Sequence, residues 1–531
     1  MSTHVIRARA PRGAAASVEQ RTDPDVVSRF LEDAGHFPGG HAHAVASPAS
    51  EAEVASLLRT SSTVLPVGAQ SSLTGGATPM GDTVLSSSRL NRIVELGEQV
   101  VRVQAGVTLL ELDAALRPVD RAYPPVPTFL GACVGGVVAT NAAGAATFKY
   151  GTTRSWVLGL TVVLANGDVL DLERGRTRAH PDGYFEVESS DRTVRIPVPR
   201  YTMPSVAKIA AGYFAVPEMD LVDLFVGSEG TLGVITEVSL RTVRGRRPQC
   251  LAFVPFGRRA NAMRFVEWLR EEAAVTWRGG DARGVDIAAI EHMDARCLEL
   301  LREDGADRHF GVPIPAAEIA LLVTMELPVG TTGAAAYEEI GRFRELDTPT
   351  ARFCRALEDA GVLDDVEIAV PGDDARAAQL LGVREAVPVA VNARVGRAHA
   401  ADSRIAKTAA DMVVPFAQLN ELMTIYDNEF RRRSLDAAVW GHISDGNLHP
   451  NVIPTSFADV ESGKDAIRFF GREVIRLGGS PLAEHGVGRH PVKQALLRDL
   501  YGSEGIDDMR AVKESLDPEY KLAPGVIFER R

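Results

Sequence analysis

Residues 441–449, Gly441-His442-Ile443-Ser444-Asp445-Gly446-Asn447-Leu448-His449, bring two imidazoles into one short segment between strand-type runs at 437–440 and 451–453. Asp-Gly between two such runs is a strong hairpin signal. With Asp445-Gly446 as a two-residue loop, Ser444 faces Asn447, Ile443 faces Leu448 and His442 faces His449. Opposed side chains share a face with Cβ atoms roughly 4.5–5.5 Å apart. That separation suits two imidazoles sharing one metal ion at about 2.0–2.1 Å each. Further along, Ala483-Glu484-His485-Gly486-Val487-Gly488-Arg489 offers a carboxylate and a third imidazole between small residues. Two histidines and one carboxylate with open positions describe a catalytic metal site better than a structural one. Two opposed histidines also describe a stacked pair with no ion, so the hairpin alone leaves both readings open.

The elements that must position these groups follow from pattern. Ser50 with Glu53, and Thr108 with Glu111, are capping-box signatures that open helices. Between them lie short β-type runs at 63–67, 83–85 and 100–103, and an apolar run at 158–170 is closed by an Asn-Gly turn. Alternating short helices and strands predict an α+β or α/β domain ending near 232–240, with 241–248 as a linker. A second domain then begins at Leu251, with an apolar strand at 319–325 and a helix carrying Phe416, Leu419, Leu422, Met423, Tyr426 and Phe430 on one face. A helical tail is expected from His490 to Leu516.

At 531 residues the chain exceeds one core. A net charge of −12 argues against a nucleic-acid partner, which would require a basic face. The four cysteines, Cys133, Cys250, Cys297 and Cys354, have neither disulfide-framework nor iron–sulfur spacing, which predicts a reducing cytoplasm. No apolar stretch approaches the roughly 20 residues of a membrane span. Residues 1–18 lack the apolar core of a secretory signal, and residues 1–30 read as a flexible leader. Arginine far outnumbers lysine, as in a GC-rich bacterial genome.

Three small-residue segments remain. Pro66-Val67-Gly68-Ala69-Gln70-Ser71-Ser72-Leu73-Thr74-Gly75-Gly76 follows a predicted strand, and such loops turn consecutive N–H groups toward an anion. Alone it reads by default as a tight surface turn. The second, at 131–144, begins Gly131-Ala132 and contains Gly135, Gly136, Asn141 and Gly144, letting a large flat ligand lie close to the chain. The third is Gly227-Ser228-Glu229-Gly230-Thr231-Leu232-Gly233-Val234-Ile235.

In this order and spacing the three segments resemble the FAD-binding domain of the vanillyl-alcohol-oxidase superfamily, the PCMH-type fold. The hairpin and the AEHGVGR turn resemble its branch of D-lactate dehydrogenases, glycolate oxidase FAD subunits and D-2-hydroxyglutarate dehydrogenases. The likeness runs from about residue 46 to 528. It implies an α+β fold: a two-subdomain FAD-binding domain (31–245), then a cap domain for substrate and metal built on an antiparallel sheet (249–489). A C-terminal segment (490–531) would return to the FAD domain.

Carried over by residue, the resemblance implies that Pro66 to Ser72 with Thr74 and Gly75 wrap the FAD pyrophosphate. Gly131, Ala132, Gly135, Gly136, Asn141, Gly144, Tyr150 and Gly151 would line the flavin and its ribityl chain, and Val234 and Ile235 the adenine side. His442, His449 and Glu484 match the metal ligands, for zinc or manganese. His485 matches the catalytic base, Asn447 a polar residue of the site, and Arg384 and Lys407 the grip on a substrate carboxylate. Read without the family, Arg384 is a salt-bridge partner of a neighbour such as Glu385 or Asp373. The first loop has Ala69 and Gln70 where the family has glycine, and the second has Ala143. The tail reads Ala523-Pro524-Gly525-Val526 instead of Asn-Pro-Gly-Lys. The first loop has no histidine for covalent attachment, which implies non-covalent FAD.

The implied reaction is oxidation of a small D-2-hydroxy acid, with electrons passed to a separate acceptor such as a quinone, an electron-transfer flavoprotein or a cytochrome. Competing readings are another superfamily enzyme (an alcohol or aldose oxidase, or an alkyl-glycerone-phosphate synthase type) and a non-catalytic flavoprotein subunit. A bacterial cytoplasmic location follows, compatible with peripheral association with the inner membrane and with a homodimer.

Overall fold

The computed structural model describes residues 3–13 and 17–529, which divide into two compact units. The first comprises residues 3–144, 151–245 and 482–529, and the second 145–150 and 246–481. The C-terminal segment thus returns to the FAD-type unit, as expected. The boundary lies ahead of the AEHGVGR turn rather than at 489, because that turn bonds to residues 74–82 and 229 of the first unit. Among the described residues no helix is long and apolar enough to cross a membrane.

The first unit holds two principal sheets, matching the two-subdomain expectation. In one, His41–Ala46, Met80–Ser86 and Val64–Val67 run parallel, with Gln20–Arg21 antiparallel at the edge. The other is antiparallel, in the order Val169–Glu173, Val157–Val163, Val234–Arg241, Val100–Gln104, Ile93–Leu96. The helix Glu51–Thr60 packs Val54, Ala55, Leu57 and Leu58 against Val64, Val163, Val169 and Val234. Ser50 caps it through the Glu53 N–H, while the Glu53 carboxylate reaches back to Ala49 rather than Ser50. The Thr108–Glu111 capping box is complete. Part of the expected leader is paired: Val5–Arg7 lies parallel to Tyr184–Glu188. The 241–248 linker contains a short pairing of Val243–Arg244 with Arg121–Ala122.

The second unit is built on one antiparallel sheet. Its order is Glu367–Ala369, Gln249–Phe256, Ile319–Glu326, Asp286–Asp294, Ala437–His442, Asn447–Val452, Thr408–Ala409. The long helix Asp374–Ala401 lays Leu380, Val383, Val387 and Val391 on Leu251, Phe253, Met293 and Leu322 of that sheet. The hairpin 437–452 is therefore interior to the sheet, and its two strands are buried along nearly their whole length.

Candidate active site

The hairpin forms, but its register differs from the expectation. His442 pairs with Asn447, Gly441 with Leu448 and Trp440 with His449. The loop has four residues, with Ile443–Asp445 as a single 3-10 turn and Gly446 left-handed at φ 82°. Buried Ser444 explains the longer loop: its Oγ accepts the Ile290 N–H at 3.2 Å, docking the turn against the neighbouring strand. The slip is two residues, and strand side chains alternate with period two, so the histidines keep a common face as diagonal neighbours. Their ring centroids are 5.5 Å apart at 89°.

Each imidazole is backed by a carboxylate that spacing could not reveal. His442 Nδ1 lies 2.9 Å from Glu291 Oε1, and His449 Nδ1 lies 3.3 Å from Asp411 Oδ1. At His442 the hydrogen bond to Nδ1 fixes tautomer and ring orientation and presents Nε2, the arrangement behind metal-binding histidines, whereas His449 Nδ1 meets Asp411 as an ion-pair contact without a hydrogen bond. Glu291 also accepts from Arg384 Nε at 2.8 Å through its other oxygen. Burial alone would raise the Glu291 pKa, but Arg384 and His442 outweigh it and hold the carboxyl well below its usual range. Arg384 is thus paired as the family-free reading anticipated, but with Glu291, far off in sequence, rather than Glu385 or Asp373. Its Nε is thereby committed to Glu291.

Asn447 is fully buried and donates from Nδ2 to Asp411 Oδ1 and to the Met412 carbonyl, both at 2.9 Å. Its Oδ1 meets no donor among the described residues, a buried acceptor suited to a ligand. Lys407 is exposed, just ahead of the edge strand Thr408–Ala409.

In the first unit Glu484 is held by a residue the sequence reading missed. Lys208, fully buried, donates to Glu484 Oε1 at 2.5 Å and to the Gly144 carbonyl at 3.4 Å. His485, partly buried, has its carbonyl bonded by Thr74 Oγ1 at 3.4 Å.

The first glycine segment fits an anionic ligand. The N–H groups of Gln70, Ser71 and Ser72 have no protein acceptor among the described residues. Thr74 and Gly76 N–H groups close on Ser72 Oγ at 3.2 and 3.1 Å, and the Gly75 N–H goes to Asp33. Gln70 has a left-handed backbone, at φ 54°, and its side-chain amide donates to the Glu32 carbonyl at 2.9 Å. Pro66 and Val67 end the preceding strand, and Gly68 abuts Cys133 of the second segment.

In the second segment only part of the expected lining is open. A Cβ at Gly136 would meet nothing within 4 Å, whereas one at Gly135 would strike Ala105, one at Gly144 the Val126 carbonyl and one at Gly131 the Phe129 ring. Protein packing therefore accounts for those three glycines, and Gly136 is left facing open space that could admit a ligand close to the backbone. Ala132 is buried beside it. Asn141, left-handed at φ 48°, turns its side chain to Ile209 and Arg154, so it braces the segment. Tyr150 belongs to the second unit, its hydroxyl donating to Glu326 at 2.7 Å beside the Lys149–Asp286 and Lys149–Glu326 pairs, while Gly151 begins the return to the first at φ 72°. Val234 and Ile235 are strand residues, with the Val234 side chain in the core.

Comparison with known proteins agrees with this architecture. Residues 42–173 match the family described as FAD binding domain, and residues 262–527 that described as FAD linked oxidases, C-terminal domain. The chain is 28% identical over 530 residues to a D-2-hydroxyglutarate dehydrogenase of Xanthomonas citri pv. viticola, covering 97% of this chain and 95% of the relative. It is 28% identical to the glycolate oxidase subunit GlcD of Bacillus subtilis, covering 92% and 89%. Among solved structures, a 4-ethylphenol oxidase from Gulosibacter chungangensis shares the fold, with a TM-score of 0.63 at 16% identity over 96% of this chain and 94% of that one. The chain belongs to the FAD-linked oxidases of the PCMH type, with an FAD-binding domain followed by their C-terminal domain.

Proposed function

We propose that the protein oxidises a D-2-hydroxy acid to the 2-oxo acid, using non-covalently bound FAD and a divalent metal, zinc or manganese. The observation that carries this reading is the double use of Glu291, which joins an arginine suited to a carboxylate with an imidazole suited to a metal. The relatives named above, a D-2-hydroxyglutarate dehydrogenase and a glycolate oxidase subunit, support the substrate class.

The chain's own groups divide the work. The Arg384 fork pairs with the substrate carboxylate in a two-pronged contact, and Lys407 adds a point charge. His442 and His449 offer Nε2 and Glu484 a carboxylate oxygen as metal ligands, with Asn447 Oδ1 accepting from a hydroxyl or a water in the site. A metal held there would supply Lewis acidity that lowers the substrate hydroxyl pKa. His485 takes that hydroxyl proton as general base, a role that the lone pair of a neutral imidazole nitrogen can fill. FAD, held by the N–H groups of 70–72 and the open face at Gly136, would supply the two-electron acceptor for the hydrogen leaving Cα. The reduced enzyme then passes its electrons to a separate acceptor.

The test is anaerobic mixing of the purified protein with D- and L-2-hydroxy acids while following flavin absorbance. Bleaching by a D-acid, abolished by chelator and restored by zinc or manganese, is the expected result. Bound flavin that no hydroxy acid reduces would overturn the reading.

A further inference from the structure

Glu229 is the only charged residue in the third glycine segment. It adopts a left-handed backbone, at φ 51°, that residues with side chains seldom take. Its N–H bonds the Ala139 carbonyl at 2.8 Å and that of Gly227 bonds Val138 at 3.0 Å, which pins the segment to the end of the helix Val134–Ala139. From there its carboxylate reaches the turn that carries His485. Oε1 accepts the Val487 N–H and Oε2 the Gly488 N–H, each at 2.8 Å.

The space around that carboxylate is shaped by glycine. A Cβ at Gly486 would stand 3.0 Å from it, and one at Gly76 would stand 3.7 Å away. The first segment holds the other side of the turn: Thr74 Oγ1 donates to the His485 carbonyl, and the Thr74 carbonyl accepts the Arg489 N–H at 3.0 Å. The backbone is therefore fixed at the His485 carbonyl and at residues 487–489 that follow it.

We propose that Glu229 is a positioning residue for His485, tying the base to the three segments that would cradle FAD. The inference rests on the reading of His485 as the base. Without the carboxylate, two buried N–H groups lose their acceptor and the turn must relax to find others, carrying the imidazole with it.

The test compares Glu229→Gln, Glu229→Ala and His485→Gln in the flavin-loaded enzyme, with reduction by a D-2-hydroxy acid normalised to bound flavin. The cofactor-free proteins supply a second readout, the rate at which diethylpyrocarbonate labels His485, followed by peptide mass spectrometry. A misplacement of 1 Å costs about 10²-fold in rate, so Glu229→Ala should lose on that order and Glu229→Gln, which keeps one carbonyl acceptor, about tenfold. Half-saturating substrate should stay within about threefold, and the labelling rate of His485 should change by more than about threefold in both variants, as expected of a moved side chain rather than a lost contact. Wild-type reduction and labelling in the Glu229 variants, alongside an inactive His485→Gln, would overturn the role of Glu229 alone. A fully active His485→Gln would overturn the base assignment and this proposal with it. Should Glu229→Ala not fold, wild-type behaviour of Glu229→Gln overturns the proposal by itself.

Discussion

Glu291 and Arg384, 93 residues apart, share a partly buried 2.8 Å hydrogen bond between Oε2 and Nε. The remaining oxygen of Glu291 faces His442 at 2.9 Å, so one carboxylate orients two groups of different purpose. Loss of a partner behind a metal ligand costs about 10–100-fold in metal affinity. Glu291→Gln should therefore weaken zinc or manganese binding by about that factor and also raise KM, because the arginine is no longer fixed. Glu385→Gln, beside the arginine in sequence only, should change neither. Metal titration with steady-state kinetics on both variants checks this, and a Glu291→Gln enzyme with unchanged metal content and KM would contradict it.

Lys208 and Glu484 form a pair in which the lysine side chain is fully buried. Removing one member of a buried ion pair costs about 3–5 kcal/mol, mostly because the other charge stays behind. Lys208→Met should be destabilised by about that amount, and Lys208→Met/Glu484→Gln should recover a large part of it. Thermal denaturation of the metal-free proteins reads the difference. Additive losses in the double variant would mean that the two side chains do not depend on one another.

The sequence exposed the parts of the site that are local and hid those that are not. Asp445-Gly446 correctly announced a hairpin, but nothing local shows that Ser444 bonds Ile290, and that contact makes the loop four residues long. The face of the histidines survived because the slip is even. Glycine spacing could not tell packing from openness: Gly135 and Gly144 answer to Ala105 and Val126, and Gly136 alone of the pair Gly135-Gly136 faces open space. Glu291, Asp411, Lys208 and Glu229 each act on a partner at least 36 residues away, through contacts that exist only once the sheets have assembled. Arg384 shows the same limit: its ion pair was foreseeable, its partner was not.

Glu229 also gives a pH dependence with a defined sign. Burial pushes its carboxyl up from 4.5 to about 7, against the lowering effects of the Val487 and Gly488 N–H groups and of Lys493. Between those two values the folded protein binds more protons here than the unfolded chain, so this group's contribution to stability falls as pH rises. One pKa unit is about 1.4 kcal/mol, which makes the contribution on the order of 2–3 kcal/mol between pH 4.5 and 7.5. Relative to Glu229→Gln, the wild-type protein should lose thermal stability on moving from pH 5 to pH 7.5. An unchanged gap in Tm across that range would show that the carboxyl titrates at an ordinary value.

Two glycines should respond to alanine in opposite directions. Gly446 closes the histidine hairpin at φ 82°, and a Cβ there would lie 2.2 Å from the Val414 carbonyl oxygen. That carbonyl belongs to backbone, and the Val414 N–H bonds the Gly446 carbonyl at 3.1 Å, so it cannot move without disturbing the loop. Gly446→Ala therefore combines a disfavoured conformation with a backbone clash, for a loss of about 2–4 kcal/mol and a displaced pair of histidines. Gly396 lies in the exposed face of the helix Asp374–Ala401 with nothing within 4 Å of a Cβ. Gly396→Ala should gain about 0.4–1 kcal/mol by restricting the unfolded chain. Paired Tm measurements test both signs, and metal content separates them further: it should fall in Gly446→Ala and stay at the wild-type level in Gly396→Ala. Equal metal content in the two would mean that the hairpin geometry does not govern the site.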